Sequence, residues 1–517
     1  MEFPGNPSAR CHLTAVVTPQ SPKIQRDSST SPVGVQLTIM RDSHSKSTLL
    51  PQQRSDCLVT SGNHGRSLPS SSIKRTFWVI VCALGAAWFY ANVTSPRNIC
   101  PVVHGPGISY SGYIGLRGDS NSVPKRSFFW YFEAEENAES APIILTIGGG
   151  PGGSGLSSPM AAQGPCLVVE NGTTPNRNRW TEHYNLIALD HSGRRHRCLR
   201  FSTEVFPSVS SPRRNQFILS GGSYGGMYVL HIATVIHEEN AALAAGNGQR
   251  GAVHINIESM MVSNPISDAT SHFTWLLQTR CYNADMYNAS TCAEMFEILP
   301  NCLESIQMAQ QGPGWSVSVE KRVAAQNICI PLEGGDTHGT VIEDVRKKCY
   351  SKDPLGCLLP LSGWTDNFFR RSDIKDALGV PEFVNFTSIS EDVYADFRDY
   401  GDTIQPAYLL YEPLLRDGIQ LLHYVGAQDA NCAWPEPHTM FVQLKLLKSP
   451  LQEEFLRTPD VPWPTAEEAT VRVVGEGAGN MTYILVAQAG HFVARDQPAL
   501  VKSIVEHWVA NVPFGST

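Results

Sequence analysis

The sequence predicts an α/β fold in which helices flank a mostly parallel central sheet. The first observation is a series of short apolar runs, rich in β-branched and large aliphatic residues, at positions 143–147, 186–189, 216–219, 259–263, 420–425 and 483–487. The second is that helical patterns, such as Asp373 to Leu378 and Ala499 to Val509, lie between or after several of these runs. Buried strands that alternate with helices are typical of a parallel sheet.

The segment Leu219 to Tyr228 (LSGGSYGGMY) is the strongest local pattern. The predicted strand 216–219 precedes it, and the apolar stretch Met227 to Ile236 that follows is predicted to be a helix. In a strand, tight turn and helix of this kind, the serine of G-x-S-x-G stands exposed as a nucleophile. A plain glycine-rich bend is the alternative reading of Ser223, and the pattern alone does not decide between them.

Polar or glycine-rich segments follow four of the predicted strands. The segment Gly148 to Gly155 (GGGPGGSG) follows the predicted strand 143–147, and Ser223 follows 216–219. Asp429 follows 420–425, and His491 follows 483–487. Active-site residues gather at the carboxyl ends of the strands in such sheets. The order serine, aspartate, histidine is that of the α/β-hydrolase fold, so the sequence predicts a catalytic triad.

Other residues compete for these roles. Asp402 and Asp417 are alternative acids, but neither directly follows a strong predicted strand. Asp429 itself has a structural alternative, since aspartate is common in turns. No C-x-x-C pair or histidine cluster indicates zinc. We therefore expect no metal and no cofactor.

Cysteines and glycosylation sequons indicate a secretory environment. Ten cysteines follow residue 91, and six of them lie between Cys281 and Cys357, which predicts a disulfide-rich insertion with pairings that the sequence does not reveal. N-x-S/T sequons occur at Asn92, Asn171, Asn288, Asn385 and Asn480. As a set they fit a lumenal or extracellular glycoprotein.

The first 93 residues differ in character from the rest. Residues 1–75 are polar with nine basic and four acidic residues, and we expect them to be disordered. Lys74 and Arg75 precede the apolar run Phe77 to Ala91, which is either a signal anchor or a signal-peptide core. Either reading places the remainder in the secretory pathway. That remainder carries a net charge of about −13, unlike a nucleic-acid-binding surface.

Four motifs resemble the serine carboxypeptidase family. They are GGGPGGSG at 148–155, GGSYGG at 221–226, YVGAQDANCA at 424–433 and GHFVARDQP at 490–498. Weaker similarities lie at 110–116, 263–269 and 370–380. The resemblance runs from about Cys100 to the C-terminus.

This resemblance implies an α/β-hydrolase with a cap insertion that acts on a peptide or ester substrate. Ser223 would attack the substrate carbonyl, His491 would take and return the proton, and Asp429 would orient the imidazole. The backbone N–H groups of Gly150 and Tyr224 would form the oxyanion hole. The implied activity is removal of residues from peptide C-termini.

The implied substrate pocket departs from the family pattern. Cys432 matches a family cysteine that lines the substrate pocket as a free thiol, and Gly149 and Gly222 would line the same pocket. The alternative for Cys432 is that it forms a disulfide. The family's carboxylate-binding side chains are missing at Gly148, Ala162 and Gly222, and we expect Gly222 to open space in the pocket. An acyltransferase or esterase of the same fold is therefore an alternative function, and a catalytically inactive membrane glycoprotein is an alternative of another class.

The predicted organisation has five segments. They are a disordered region 1–75, an anchor or signal segment 76–93, a first core part 100–264, a cap insertion 265–364 and a second core part 365–517. Residues 191–202 resemble no family segment, and a helix expected before Ser223 is missing from the pattern. The sequence leaves the oligomeric state open.

Overall fold

The computed structural model describes the following residues: 93–94, 96, 99–100, 109–115, 126–190, 215–248, 252–311, 318–349, 355–435 and 450–515. All of them lie in one compact unit, Ser71–Thr517. The predictions for residues 1–75, for the apolar run and for residues 191–202 fall outside these ranges. Within them, no helix combines the length and the apolar character that a membrane span requires.

The strands include every one predicted from the sequence. Their bounds are β1 Val93–Thr94, β2 Ser109–Gly115, β3 Arg126–Phe132, β4 Ile143–Ile147, β5 Cys166–Val169, β6 Gly172–Pro175, β7 Asn185–Asp190, β8 Phe217–Gly222, β9 Ile257–Ser263, β10 Thr340–Val341, β11 Asp344–Lys348, β12 Gln420–Gly426, β13 Val461–Pro462, β14 Ala469–Val474 and β15 Met481–Val486.

The α-helices follow or connect these strands. Their bounds are α1 Gly225–Ala244, α2 Ala269–Gln278, α3 Ala289–Gln310, α4 Val319–Cys329, α5 Leu355–Arg370, α6 Ser372–Leu378, α7 Glu391–Asp399, α8 Tyr411–Arg416, α9 Pro450–Arg457, α10 Val493–Asp496 and α11 Pro498–Val509.

Eleven of the described strands form one sheet in the order β1-β2-β3-β7-β4-β8-β9-β12-β15-β14-β13. The six strands that the sequence predicted, β4, β7, β8, β9, β12 and β15, are its parallel centre. Antiparallel strands extend both edges, β1 to β3 on one side and β13 to β14 on the other. The predicted α/β-hydrolase architecture is confirmed.

Both faces of the central strands are buried, because helices cover each side of a parallel sheet. On one face Leu145 and Leu219 belong to a core that includes Met227 of α1. On the other face Ile144 packs in a second core with Trp508 of α11. This explains why each central strand reads as a continuous apolar run and not as an alternating pattern.

A helical cap lies between β9 and β12. Its helices α2, α3 and α4 share a small core of their own. The disulfides Cys281–Cys292 and Cys302–Cys329 staple it, Cys349 is disulfide-bonded as well, and Cys100–Cys166 lies elsewhere. The predicted disulfide-rich insertion is therefore present, while the predicted segment boundaries stay predictions.

Candidate active site

Ser223 lies on a strained turn between β8 and α1. Its φ is +59°, a left-handed value that non-glycine residues seldom adopt. The turn is held because the Ser223 N–H donates to the carbonyl oxygens of Ser263 at 3.0 Å and Asn264 at 3.1 Å. Helix α1 begins two residues later at Gly225, so the serine lies at a helix N-terminus as the sequence predicted.

The glycine-rich segment 148–155 packs directly on this turn. A Cβ placed on Gly149 would come within 2.6 Å of the Gly222 carbonyl oxygen and 3.0 Å of the Ser223 Cβ. Gly150 has a φ of +105°, which a side chain would strain. Only glycine therefore lets this loop lie so close to Ser223, where the backbone N–H groups of Gly150 and Tyr224 are the predicted oxyanion donors.

Asp429 lies in the loop after β12 with a fully buried carboxylate. One of its oxygens, Oδ1, accepts the N–H groups of Asn431 at 2.8 Å and Cys432 at 3.1 Å. The other, Oδ2, accepts the side-chain amide of Asn264 at 2.7 Å and lies 2.7 Å from His491 Nδ1. These contacts fix the carboxylate in a single orientation toward the histidine.

His491 follows β15 and is held from two directions. Its backbone N–H donates to the carbonyl oxygen of Glu343 at 2.7 Å, and its Nδ1 faces Asp429. The ring of Phe492 contacts the His491 ring edge-on at 5.3 Å between centroids. With Nδ1–H donated to a carboxylate, the opposite nitrogen Nε2 is the one suited to proton exchange.

Cys432 joins these residues at the same edge of the sheet. Its Sγ is buried and lies 3.9 Å from Ser223 Oγ. One ligand atom each from Asp429, Cys432 and His491 lie within 4.8 Å of one another, a donor set that zinc accepts. Asp429 Oδ2 and His491 Nδ1 are hydrogen-bonded to each other, however, and the expectation of a metal-free site stays a prediction.

The two alternative acids have other contacts. Asp402 is buried and accepts hydrogen bonds from the Tyr224 hydroxyl and the Gln405 side chain. Asp417 lies at the surface, 2.9 Å from His237. Asp429 is the acid that meets His491.

At two of the three positions that lack a carboxylate-binding side chain, other atoms lie close to where the side chain would begin. A Cβ on Gly222 would lie 2.6 Å from Ser263 Oγ, and one on Gly148 would lie 2.8 Å from the Ser154 carbonyl oxygen. The expectation that Gly222 opens space is therefore wrong, because Ser263 of the neighbouring strand β9 occupies that space.

Two site residues were missed by the sequence reasoning. Asn264, which bridges Asp429 and the Ser223 turn, directly follows β9, so its place at a strand end was a usable signal. Glu343, whose carbonyl oxygen holds His491, lies in the turn between β10 and β11 and carries no such signal.

The chain matches a family model described as serine carboxypeptidase over residues 101–193 and 197–511. Among similar proteins, carboxypeptidase Y homolog A of Podospora anserina is 27% identical over 434 residues, which cover 78% of this chain and 72% of the relative. Carboxypeptidase Y homolog A of Neurospora crassa is 26% identical over 435 residues, again 78% and 72% of the two chains.

A solved structure shares the fold. It is Kex1(delta)P, described as a prohormone-processing carboxypeptidase from Saccharomyces cerevisiae, with a TM-score of 0.58 and 15% identity. The match covers 81% of this chain and 94% of that one.

Proposed function

The chain belongs to the serine carboxypeptidase family, and from that premise we propose that it is a lumenal hydrolase that cleaves peptide or ester substrates through an acyl-enzyme. The single observation that carries the proposal is the 2.7 Å contact between Asp429 Oδ2 and His491 Nδ1, beside a serine on a turn with φ of +59°. Because Ser223 is held in a rare backbone conformation at the turn between β8 and α1, a reactive role is favoured over a plain glycine-rich bend.

In the proposed mechanism Ser223 is the nucleophile. His491 Nε2 removes the proton from Ser223 Oγ as this oxygen attacks the substrate carbonyl, and Asp429 stabilises the imidazolium that forms. The tetrahedral oxyanion accepts hydrogen bonds from the N–H groups of Gly150 and Tyr224. His491 then protonates the leaving group, which departs and leaves the acyl-enzyme. A water molecule attacks the acyl carbonyl with His491 as its base, and return of the proton to Ser223 Oγ releases the acid and regenerates the serine.

A lumenal location is part of the proposal. The disulfides Cys100–Cys166, Cys281–Cys292 and Cys302–Cys329 indicate an oxidising compartment, because most cytosolic proteins keep their cysteines reduced. The four sequon asparagines that the structure describes, Asn171, Asn288, Asn385 and Asn480, are all exposed and so accessible to glycosylation. Whether the apolar run near the N-terminus anchors the protein or is cleaved stays a prediction.

A fluorophosphonate probe tests the nucleophile directly, because it reacts with activated serines. We expect the purified protein to be labelled and the Ser223→Ala variant to remain unlabelled. Ser503→Ala, on helix α11, is the matched control and should be labelled like the wild type. Absence of labelling in a folded wild-type protein would favour the catalytically inactive alternative.

A second candidate is an acyltransferase or esterase of the same fold. The observation that favours it is that Gly148 and Gly222 carry no side chain to bind a substrate carboxylate, and that backbone oxygen atoms of Gly153 and Ser154 lie within 2.8 Å of a Cβ placed on Gly148. The acyl-enzyme is common to both functions, and they differ in whether water or an alcohol removes the acyl group. Product analysis with and without an added alcohol acceptor separates them.

A further inference from the structure

Tyr224, whose backbone N–H is a predicted oxyanion donor, also has a buried and well-anchored side chain. The residue is 1% exposed, and its ring packs edge-on against the rings of Tyr228 and Phe397, with centroids 5.2 and 5.7 Å away. The hydroxyl at the end of the ring donates a hydrogen bond to Asp402 Oδ2. Because Asp402 lies 178 residues further along the chain, this contact ties the turn that carries Ser223 to a distant segment.

The Asp402 carboxylate is a buried charge that the proposed mechanism does not use. Its second oxygen, Oδ1, accepts a hydrogen bond from the side-chain amide of Gln405. A buried carboxylate is costly unless hydrogen bonds satisfy it, and here each oxygen accepts one. Asp429 takes the place beside His491, so the contact that connects Asp402 to the proposed site is the one with the Tyr224 hydroxyl.

The segment that carries this carboxylate is anchored to two helices of the cap. The side-chain amide of Gln326 in α4 donates to the Arg398 carbonyl oxygen at 2.8 Å, and that of Gln310 in α3 donates to the Ile404 carbonyl oxygen at 3.0 Å. A Cβ on Gly401 would come within 2.6 Å of the α4 backbone, so this glycine lets the segment lie directly against the helix. A hydrogen-bond acceptor on so firm a support fixes the position of its donor.

An oxyanion donor depends on exact placement. Its N–H has to point, before the reaction begins, at the position where negative charge develops in the transition state. The backbone before Tyr224 is fixed because the Ser223 N–H donates to the carbonyl oxygens of Ser263 and Asn264. The hydroxyl bond to Asp402 fixes the same residue through its side chain. The N–H of Tyr224 is therefore held from both its backbone and its ring.

We propose that Asp402 is a positioning residue for the oxyanion hole, which holds the Tyr224 hydroxyl and thereby aims the Tyr224 N–H at the oxyanion. The inference rests on the proposed function, since it concerns the transition state of the proposed acylation step. A contact that acts only on the oxyanion stabilises the transition state and not the bound substrate. Its loss should therefore slow acylation and spare substrates that make little use of the oxyanion hole.

The test compares an activated ester with its thionoester, in which sulfur replaces the carbonyl oxygen. Sulfur accepts weaker hydrogen bonds than oxygen, so the thionoester gains little from an oxyanion hole. In Tyr224→Phe we expect kcat/KM for the ester to fall about tenfold, part of the roughly 10²- to 10³-fold that loss of a whole donor costs. The thionoester should change by less than about twofold, so the ratio of the two rates falls.

Tyr131→Phe is the matched control. Tyr131 is also 1% exposed, and its hydroxyl donates to Asn185 Oδ1 at 2.9 Å between strands β3 and β7. Loss of this hydroxyl should lower the melting temperature and leave the ratio of ester to thionoester at the wild-type value. The comparison separates a general loss of stability from a displaced oxyanion donor.

A double variant shows whether Asp402 acts through Tyr224. Asp402→Ala should slow ester hydrolysis by a factor similar to that of Tyr224→Phe, and the variant with both changes should be no slower than the slower single variant. Factors that multiply would overturn the inference, because Asp402 would then act by another route.

Two results for Tyr224→Phe would also overturn it. They are an unchanged rate with the ester, and equal losses with the ester and the thionoester. Since Tyr224→Phe keeps the packed ring, it decides the question even if Asp402→Ala does not fold. A folded wild type that neither hydrolyses the ester nor reacts with the fluorophosphonate would instead contradict the proposed function.

Discussion

Asn264 donates its side-chain amide to Asp429 Oδ2 at 2.7 Å, the same oxygen that faces His491. The Asn264 Oδ1 accepts the N–H of Gly426, and its backbone carbonyl oxygen accepts the N–H of Ser223. One buried asparagine therefore links the ends of β8, β9 and β12. Its φ of +40° is one that asparagine tolerates better than most residues.

Asn264→Ala should lower kcat with little change in KM. The substitution removes a donor from Asp429 and leaves the Gly426 N–H without its acceptor, and each buried loss costs about 1–3 kcal/mol. We expect kcat to fall by roughly 10- to 100-fold if a comparable energy is lost in the transition state. Steady-state kinetics and thermal unfolding of the purified variant measure both effects.

Asn240→Ala is the matched control, since the Asn240 side chain makes the same pair of hydrogen bonds, to the backbone of Ile255, away from the site. It should lose stability but keep the wild-type kcat. If both variants lowered kcat equally, the role of Asn264 would be general stability and not the position of Asp429.

Ser223→Ala and His491→Ala should each abolish esterase activity and leave the fold intact. Asp429→Asn should lower kcat by orders of magnitude, because an amide cannot hold the histidine in the required tautomer. Hydrolysis of an activated ester and circular dichroism provide the measurements. Activity within about tenfold of the wild type in the serine or histidine variant would contradict the triad, whose members lose activity as a unit.

The sequence was sufficient for the centre of the sheet because each central strand is buried on both faces and so is continuously apolar. Strand β4, IILTI at 143–147, is the clearest case, and its observed bounds equal the predicted ones. Strands β2 and β3 at the sheet edge were not predicted. Their serine, glycine and aromatic residues (SYSGYIG and RSFFWYF) do not separate a strand from other buried segments.

The site was predictable where it follows a strand and not where it depends on tertiary contacts. Ser223, Asp429 and His491 each lie just after a predicted strand, so chain order brought them together. Glu343 reaches His491 only because a hairpin of the cap folds back between two loops. The space beside Gly222 was also misjudged, since Ser263 enters it from a different strand.

Asp190→Asn should stabilise the protein at neutral pH. Burial raises the pKa of Asp190 from 3.8 to about 6, although hydrogen bonds from Gly155 and Ser154 oppose the shift. A raised pKa means that the folded state binds the proton more tightly, so stability declines as pH rises from about 4 to 6. The variant lacks this ionisation, and its melting temperature should exceed that of the wild type at pH 7 but not at pH 4.

Asp344→Asn supplies the comparison of opposite sign. Burial alone would raise the pKa of Asp344, but hydrogen bonds from Arg346 and Lys347 outweigh it and lower the folded pKa to about 2. Asp344 therefore stabilises the protein above the ordinary aspartate range and loses that effect only in strong acid. Its asparagine variant should melt below the wild type at pH 7. A lower melting temperature for both variants at pH 7 would show that hydrogen bonds to Asp190 outweigh the burial of its charge.

The protein should carry N-linked glycans when it is made in a eukaryotic secretory pathway. The exposed asparagines are Asn171, Asn288, Asn385 and Asn480. The side-chain oxygen Oδ1 of Asn288 caps helix α3, which leaves its side-chain nitrogen Nδ2 for the sugar. Endoglycosidase treatment should increase electrophoretic mobility, and replacement of all four by glutamine should reduce the shift. A protein with unchanged mobility would argue against a lumenal location.

The last prediction concerns recognition of a free substrate carboxylate. A clamp of polar side chains at positions 148, 162 and 222 would discriminate strongly, since each hydrogen bond to a charged group contributes about 1.5–3 kcal/mol. Here those positions are Gly148, Ala162 and Gly222, and Ser263 fills the space beside Gly222. We expect kcat/KM for a blocked dipeptide acid to equal that for its amide within roughly threefold, less than one such bond provides. The corresponding ester should be cleaved fastest, because its alkoxide leaves more readily than an amine.

The ratio of kcat/KM for the acid to that for the amide should also stay constant as pH falls, since carboxyl groups that share a proton with the substrate are missing at these three positions. A preference for the acid that grows at low pH would contradict this prediction.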